Sequence, residues 1–287
     1  MKITDVRVHP GDSGFLIDNG TTSILCDTGF AFTGIELAEK VRGILGERTL
    51  DYILLTHSHY DHSLGVPYVK KIYPDAIVVA GEYDRETFKK PHAIETMREL
   101  DRRFAHTCGV GEYEDLIDEL SVDKVIFDGE RFRLGDFDVK AINLPGHTKS
   151  CFGFLLEREK ILLSCETIGI FDGKETVMPI FLISYSESRK SILKVQDLDL
   201  DGLLIPHYGF IDKKTTKLYL DRALFFIDET TFQIKERLEK GLDKSDILQF
   251  IKERFYDGIF EKYYPIDAFV LNTSIMINAI EKELIKG

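Results

Sequence analysis

Several features that would assign this chain to a large functional class are missing from it. No apolar run approaches the roughly 20 residues of a membrane-spanning helix. The opening Met1-Lys2-Ile3-Thr4-Asp5-Val6 lacks the apolar core and small-residue cleavage site of a secretory signal. The expectation is a cytoplasmic protein with no membrane partner. Positive charge is also scarce, since 49 acidic residues face 37 basic ones and the formal net charge is -12. Proteins that grip a phosphate backbone do so with dense Lys and Arg that release counterions, so nucleic acid is not an expected partner. The four cysteines, Cys26, Cys108, Cys151 and Cys165, show no paired spacing of a zinc knuckle or a disulfide framework and read as reduced, mostly buried side chains. Oligomeric state is not legible.

What is present is ordinary for a soluble enzyme, with 44% hydrophobic and 30% charged residues. The 287 residues suffice for one large α/β domain, or for a domain of about 200 residues with a smaller appendage. Phe15-Leu16-Ile17-Asp18 and Thr21 to Cys26 flank Asn19-Gly20, a two-residue hairpin signal. Ile35, Leu37, Val41 and Ile44-Leu45 recur at helical spacing and lead into the apolar run Tyr52-Ile53-Leu54-Leu55. Leu64 to Tyr73 reads as a helix and Ala76 to Ala80 as a buried strand. Residues 83 to 121 are charge-rich without strand alternation and are expected to form a helical insertion, with helices around Thr87 to Ala105 and Glu112 to Leu120. Strands resume at Lys124–Phe127, Arg131–Leu134, Asp138–Ile142 and Phe152–Leu156, separated by turn pairs such as Asp128-Gly129. From about Ser184 the chain turns largely helical. One expected stripe is Ile247, Leu248, Ile251 and Phe255, capped by Asp243 or Ser245, and another is Val270, Thr273, Ile277, Ile280 and Leu284. The expected division is a catalytic domain over 1–210 and a helical extension over 211–287 packed upon it.

The chemistry is concentrated in Thr56-His57-Ser58-His59-Tyr60-Asp61-His62, directly after the apolar run that ends at Leu55. Neutral imidazole and carboxylate are ligands that zinc, iron and manganese accept, and packing gives no reason to cluster four of them at a strand end. In an extended segment His57, His59 and Asp61 would point one way, with a turn at Asp61-His62 bringing round the fourth donor. The later chain supplies more donors where apolar strands run out: His147 in Leu144-Pro145-Gly146-His147-Thr148, Glu166 after Ile161 to Cys165, and His207 after Leu203-Leu204-Ile205-Pro206. Nothing marks Asp84, His92 or His106 of the insertion as ligands.

These residues resemble the metallo-β-lactamase superfamily, whose mark is a His-x-His-x-Asp-His run followed by a His, an acidic residue and a His at strand ends. The resemblance spans roughly residues 1 to 210 and includes the turn Asp27-Thr28-Gly29. It implies an α/β fold, an αββα sandwich with the metal cleft at one edge. It also implies that His57, His59 and His147 hold one metal, that Asp61, His62 and His207 hold a second, and that the acidic residue bridges them. The chain departs from the pattern twice. Glu166 stands where an aspartate is usual, and its extra methylene displaces the carboxylate by roughly 1.5 Å. Tyr208 follows the last His where many members have a small residue, and it either donates to a substrate oxygen or packs.

Two adjacent divalent cations, zinc first with iron or manganese as alternatives, would make hydroxide available at neutral pH and polarise a carbonyl or phosphoryl oxygen. The expected reaction is hydrolysis of an ester, thioester or lactone of a small acid, with the bridging hydroxide as nucleophile and Asp61 orienting it. Thioesters come first. The alternatives are a phosphodiesterase, which the acidic balance disfavours, and a di-iron redox or sensing protein. The latter is disfavoured because the residues after 210 lack a phosphate-binding Gly loop and His59 stands where the di-iron reductases typically carry Glu.

Overall fold

The computed structural model of the chain describes residues 1–286, and these form two compact units, 1–142 with 152–159 and 143–151 with 160–286. In the first unit the strands β1 (Lys2–Asp5), β2 (Phe15–Asp18), β3 (Ser23–Cys26), β4 (Tyr52–Leu54), β5 (Ile77–Gly81) and β6 (Lys124–Ile126) make a six-stranded sheet in sequence order. β1 to β3 are antiparallel and β3 to β6 parallel. A parallel neighbour requires a crossover. Here α1 (Gly34–Leu45) links β3 to β4, and α2 (Tyr60–Ser63) with α3 (Val66–Ile72) links β4 to β5. The core lies under these helices: Leu37, Ala38 and Val41 from α1 and Val66, Tyr68 and Val69 from α3 close over Leu25, Ile53 and Val78. Gly34 is needed at the contact, because a Cβ there would stand 2.8 Å from the Tyr68 ring.

The β2–β3 hairpin has a four-residue loop and not the two-residue turn expected from Asn19-Gly20. Asp18 pairs with Ser23, and the Asn19 side-chain oxygen accepts the N–H of both Thr21 and Thr22, pulling them out of the strand. The insertion holds α4 (Glu82–Phe88) and α5 (Pro91–Thr107), but Glu112 to Leu120 is not an α-helix; only Ile117–Glu119 make a single 3-10 turn. Side chains hold this segment in place of a helical ladder. Asp115 pairs with Arg98 and Arg102, and the Tyr113 hydroxyl donates to Asp101. β7 (Arg131–Leu134), β8 (Phe137–Asn143) and β9 (Phe152–Leu156) follow, the first two as an antiparallel hairpin.

The second unit contains β10 (Ile161–Leu163), the two-stranded ribbon of β11 (Ile170–Phe171) and β12 (Val177–Met178), α6 (Tyr185–Gln196), β13 (Gly202–Ile205) and β14 (Gly209–Asp212). β10 runs parallel to β13, which turns back antiparallel into β14. The long α7 (Lys213–Glu239) follows, then α8 (Lys244–Phe255), α9 (Gly258–Tyr263) and α10 (Ile266–Leu284). The α8 stripe buries Ile247, Ile251 and Phe255 as expected. On α10 the buried face is Phe269, Thr273, Met276, Ile277 and Ile280, whereas Val270 stays 37% exposed. A strict seven-residue spacing drifts around a 3.6-residue helix, so the face follows three- and four-residue steps instead. Among the described residues no helix is long and apolar enough to cross a membrane.

Candidate metal centre

The ligand run does not continue the strand. β4 ends at Leu54, His57 to His59 form a loop, and Tyr60–Ser63 make one helical turn whose N-cap is His59 in extended conformation. The backbone N–H groups of His62 and Ser63 both donate to the His59 carbonyl at 3.1 Å, and the Ser63 hydroxyl reaches the same oxygen at 2.9 Å. Asp61 and His62 are therefore carried by a helical turn, which corrects the extended-segment reading. The turn does bring the donors together. The His57 ring lies 4.5 Å from that of His59 and 4.2 Å from that of His62, centroid to centroid, and Oδ2 of Asp61 is 3.6 Å from Nε2 of His62. His57 and His62 are buried, while His59 and Asp61 are partly exposed.

One buried carboxylate organises this loop. Asp27, at the end of β3 with φ 55°, accepts the Thr56 N–H at 2.9 Å, the Ser13 hydroxyl at 2.9 Å and Nδ1 of His62 at 2.8 Å. The following Thr28 donates its N–H to the His62 carbonyl at 2.7 Å. Gly65 closes the clasp, because a Cβ there would stand 1.9 Å from the Thr28 carbonyl. The Asp27-Thr28-Gly29 turn was visible in the sequence, but its task was not. An aspartate at a strand end followed by a glycine is the available signal, and only the fold shows which histidine it serves.

In the second unit each donor sits on its own structural device. His147 follows Gly146, at φ 139°, where any Cβ would stand 1.9 Å from the Ser188 hydroxyl at the start of α6. Nδ1 of His147 lies 2.8 Å from the Ile180 carbonyl, and its N–H donates to the Thr167 hydroxyl at 3.3 Å. Glu166 opens a 3-10 turn, Glu166–Ile168, just beyond β10. His207 occupies the tight turn between β13 and β14 with φ 62°, a strained conformation for a non-glycine residue and one that clusters at functional positions. Its Nε2 is 3.0 Å from Oε1 of Glu166. The Tyr208 ring packs edge-on against Phe171 at 4.9 Å and fills the space over Gly173. Cys165, beside Glu166, is fully buried and its thiol is pushed well up by that burial. Asp84 is buried in α4, whereas His92 and His106 are exposed on α5.

Whether these side chains suit a divalent ion can be tested through their protons. A carbonyl or a carboxylate can only accept, so Nδ1 of His147 donates to Ile180 and Nδ1 of His62 donates to Asp27. Both rings are thereby oriented through Nδ1, the arrangement in which metal-binding imidazoles are held by outer acceptors. Within the first unit, ligating atoms of His57 lie within 4.8 Å of those of His59 and of His62, as do those of Asp61 and His62. The donor chemistry fits.

A mixed α/β frame with such candidate donors just beyond its strand ends has the build of a metal-binding fold. The sequence profile of the metallo-beta-lactamase superfamily matches residues 8–207, and the chain belongs to that superfamily. Among characterised relatives it is 32% identical over 136 residues to Glyoxylase B2 of Dictyostelium discoideum, covering 46% of this chain and 41% of that one. It is 26% identical over 160 residues to an Atrochrysone carboxyl ACP thioesterase of Aspergillus fumigatus, covering 55% and 30%. The matched part of the chain thus spans less than half the length of these relatives. A metallo-beta-lactamase family protein of Thermus thermophilus superposes with a TM-score of 0.65 at 17% identity, over 94% of this chain and 88% of that one, which establishes a shared fold. The mixed α/β fold with a helical C-terminal extension matches that expected from the sequence.

Proposed function

We propose that the chain is a metal-dependent hydrolase of esters, thioesters or lactones of small acids, with thioesters as the first substrate class. His57, His59 and His147 are assigned to one divalent ion, Asp61, His62 and His207 to a second, and Glu166 to both. The observation that carries the reading is that buried acceptors hold Nδ1 of both His62 and His147, the orientation by outer partners that metal-binding imidazoles show. The thioesterase named among the relatives supports the choice of substrate class. Zinc is the first metal expected from an N/O donor set of this kind, with iron and manganese also compatible.

Divalent ions bound at these donors would acidify a water molecule and polarise the acyl carbonyl. The protein's own contribution is positional. Asp61, partly exposed and 3.6 Å from His62, is the side chain assigned to orient the attacking water and accept its proton. Tyr208, its ring braced by Phe171, is assigned to a substrate oxygen. No serine or cysteine nucleophile is required. Ser63 is committed to the His59 carbonyl, and the buried Cys165 thiol is held in its neutral form.

The test is elemental analysis of protein purified without added metal, followed by assays on thioester, lactone and phosphodiester panels. Two metal equivalents and thioester turnover are expected. One equivalent after reconstitution in excess metal would overturn the dinuclear assignment. Phosphodiester turnover alone would overturn the substrate class, and two irons without hydrolysis would favour a redox or sensing role.

A further inference from the structure

The helices after residue 212 supply no donor, yet they hold the backbone on which two donors rest. Two separate contacts do this. The carbonyl that fixes His147 belongs to Ile180, in the segment between β12 and α6. Ile180, buried, lines a cavity of about 10 Å³ together with Ile251 and Phe255 of α8 and Thr273 and Met276 of α10. The same segment grips the His147 loop again, since the N–H groups of Leu182 and Ile183 both donate to the Gly146 carbonyl, at 3.1 and 3.0 Å. The second contact comes from α7. Tyr219, 1% exposed, directs its hydroxyl at the carbonyls of Ile168 and Gly169, at 2.9 and 2.8 Å, and these end the 3-10 turn that begins with Glu166.

We propose that the C-terminal helices are a positioning frame for the metal centre, with Tyr219 and Ile180 as positioning residues for Glu166 and His147; the inference rests on the ligand roles assigned above. A donor is useful to a cation only within a few tenths of an ångström, and outer partners that hold it are worth about 10- to 100-fold in metal affinity. The 3-10 turn has only three residues, and its end is pinned by a hydroxyl that comes from a different element. Likewise the Ile180 carbonyl that meets His147 belongs to a buried residue that lines a small cavity together with residues of α8 and α10. The frame therefore acts on metal affinity before it acts on substrate.

The experiment uses the full chain, freed of metal and titrated with Zn²⁺ in competition with a chromophoric chelator, alongside thermal melting. Tyr219→Phe keeps the ring and removes one hydroxyl, and Ile180→Ala keeps the carbonyl and removes its anchor. Each is expected to weaken Zn²⁺ binding about 10-fold, and Ile180→Val is expected to restore most of the loss. Ile247→Ala, one turn earlier on α8, buried but outside the cavity lining, is expected to lower the melting temperature and leave affinity unchanged. Wild-type affinity in both Tyr219→Phe and Ile180→Ala would overturn the inference, as would an equal loss in Ile247→Ala. Failure of the underlying reading looks different: His147→Ala and Glu166→Gln would then bind Zn²⁺ as tightly as wild type.

Discussion

The two sets of candidate donors are built on opposite principles. In the first unit four donors fall within six residues, on one loop and one helical turn clasped by Asp27 and Thr28. In the second unit three donors are spread over 61 residues, from 147 to 207, each at the end of a different segment and each needing its own support. Gly146 and Ile180 serve His147, the 3-10 turn and Tyr219 serve Glu166, and a strained hairpin turn serves His207. The compact set concentrates its information in sequence, and a single buried carboxylate stabilises it. The dispersed set depends on tertiary contacts made far along the chain, so it should be the more sensitive to distant substitutions.

The largest expected effect tests whether the compact set is functional and not structural. His59→Ala should lower hydrolysis by at least about 100-fold, beyond the usual cost of losing an outer partner, while far-ultraviolet circular dichroism stays unchanged, because His59 is a partly exposed loop residue. Loss of secondary structure would make the loop a folding element instead. Next in size is Glu166→Gln, which removes a charge while nearly preserving shape. Zinc titration should show the second equivalent weakened about 10- to 100-fold with the first little changed. Retention of both equivalents at wild-type affinity would reduce the dispersed set to two histidines.

Asp27→Asn sharpens the comparison from the other side. Asparagine tolerates the φ of 55°, so the backbone survives, but the buried ionic partner of Nδ1 of His62 is lost. A stability loss of about 3 kcal/mol in denaturant titration is expected, the range for breaking a buried polar pair, together with weaker metal binding. An unaltered unfolding midpoint would show that the loop does not lean on Asp27.

The most gradual effect is a pH dependence beside the compact set. Asp101 on α5 accepts the Ala31 N–H and the Tyr113 hydroxyl, and burial pushes its carboxyl up to about 6 against an ordinary 3.8. The folded state then holds a proton that the unfolded state has released between those values. This contribution to stability is fully present below about pH 4 and is lost as pH rises through about 6, to a limit of about 3 kcal/mol. Asp101→Asn should flatten that slope. Parallel melting curves for the two proteins across the window would assign the slope elsewhere.

Sequence patterning made most of the elements readable, since short apolar runs bounded by turn residues locate β2 to β9, and helical spacing locates α1 and α8, closely. It misplaced Glu112 to Leu120, where propensity pointed to a helix but salt bridges to Arg98 and Arg102 hold the chain otherwise. It also missed β14, whose short Gly209–Asp212 run is a strand only because β13 lies beside it. The seven candidate donors were legible because imidazole and carboxylate at apolar strand ends have few other uses. What holds them was not legible. Asp27 announces nothing about His62, 35 residues away, nor Ile180 about His147, nor Tyr219 about the Glu166 turn. Residue type and local spacing determine which atoms can bind a cation. The proton on each imidazole and the direction of each donor are set by hydrogen bonds between segments remote in sequence, and only the tertiary structure decides which segments meet.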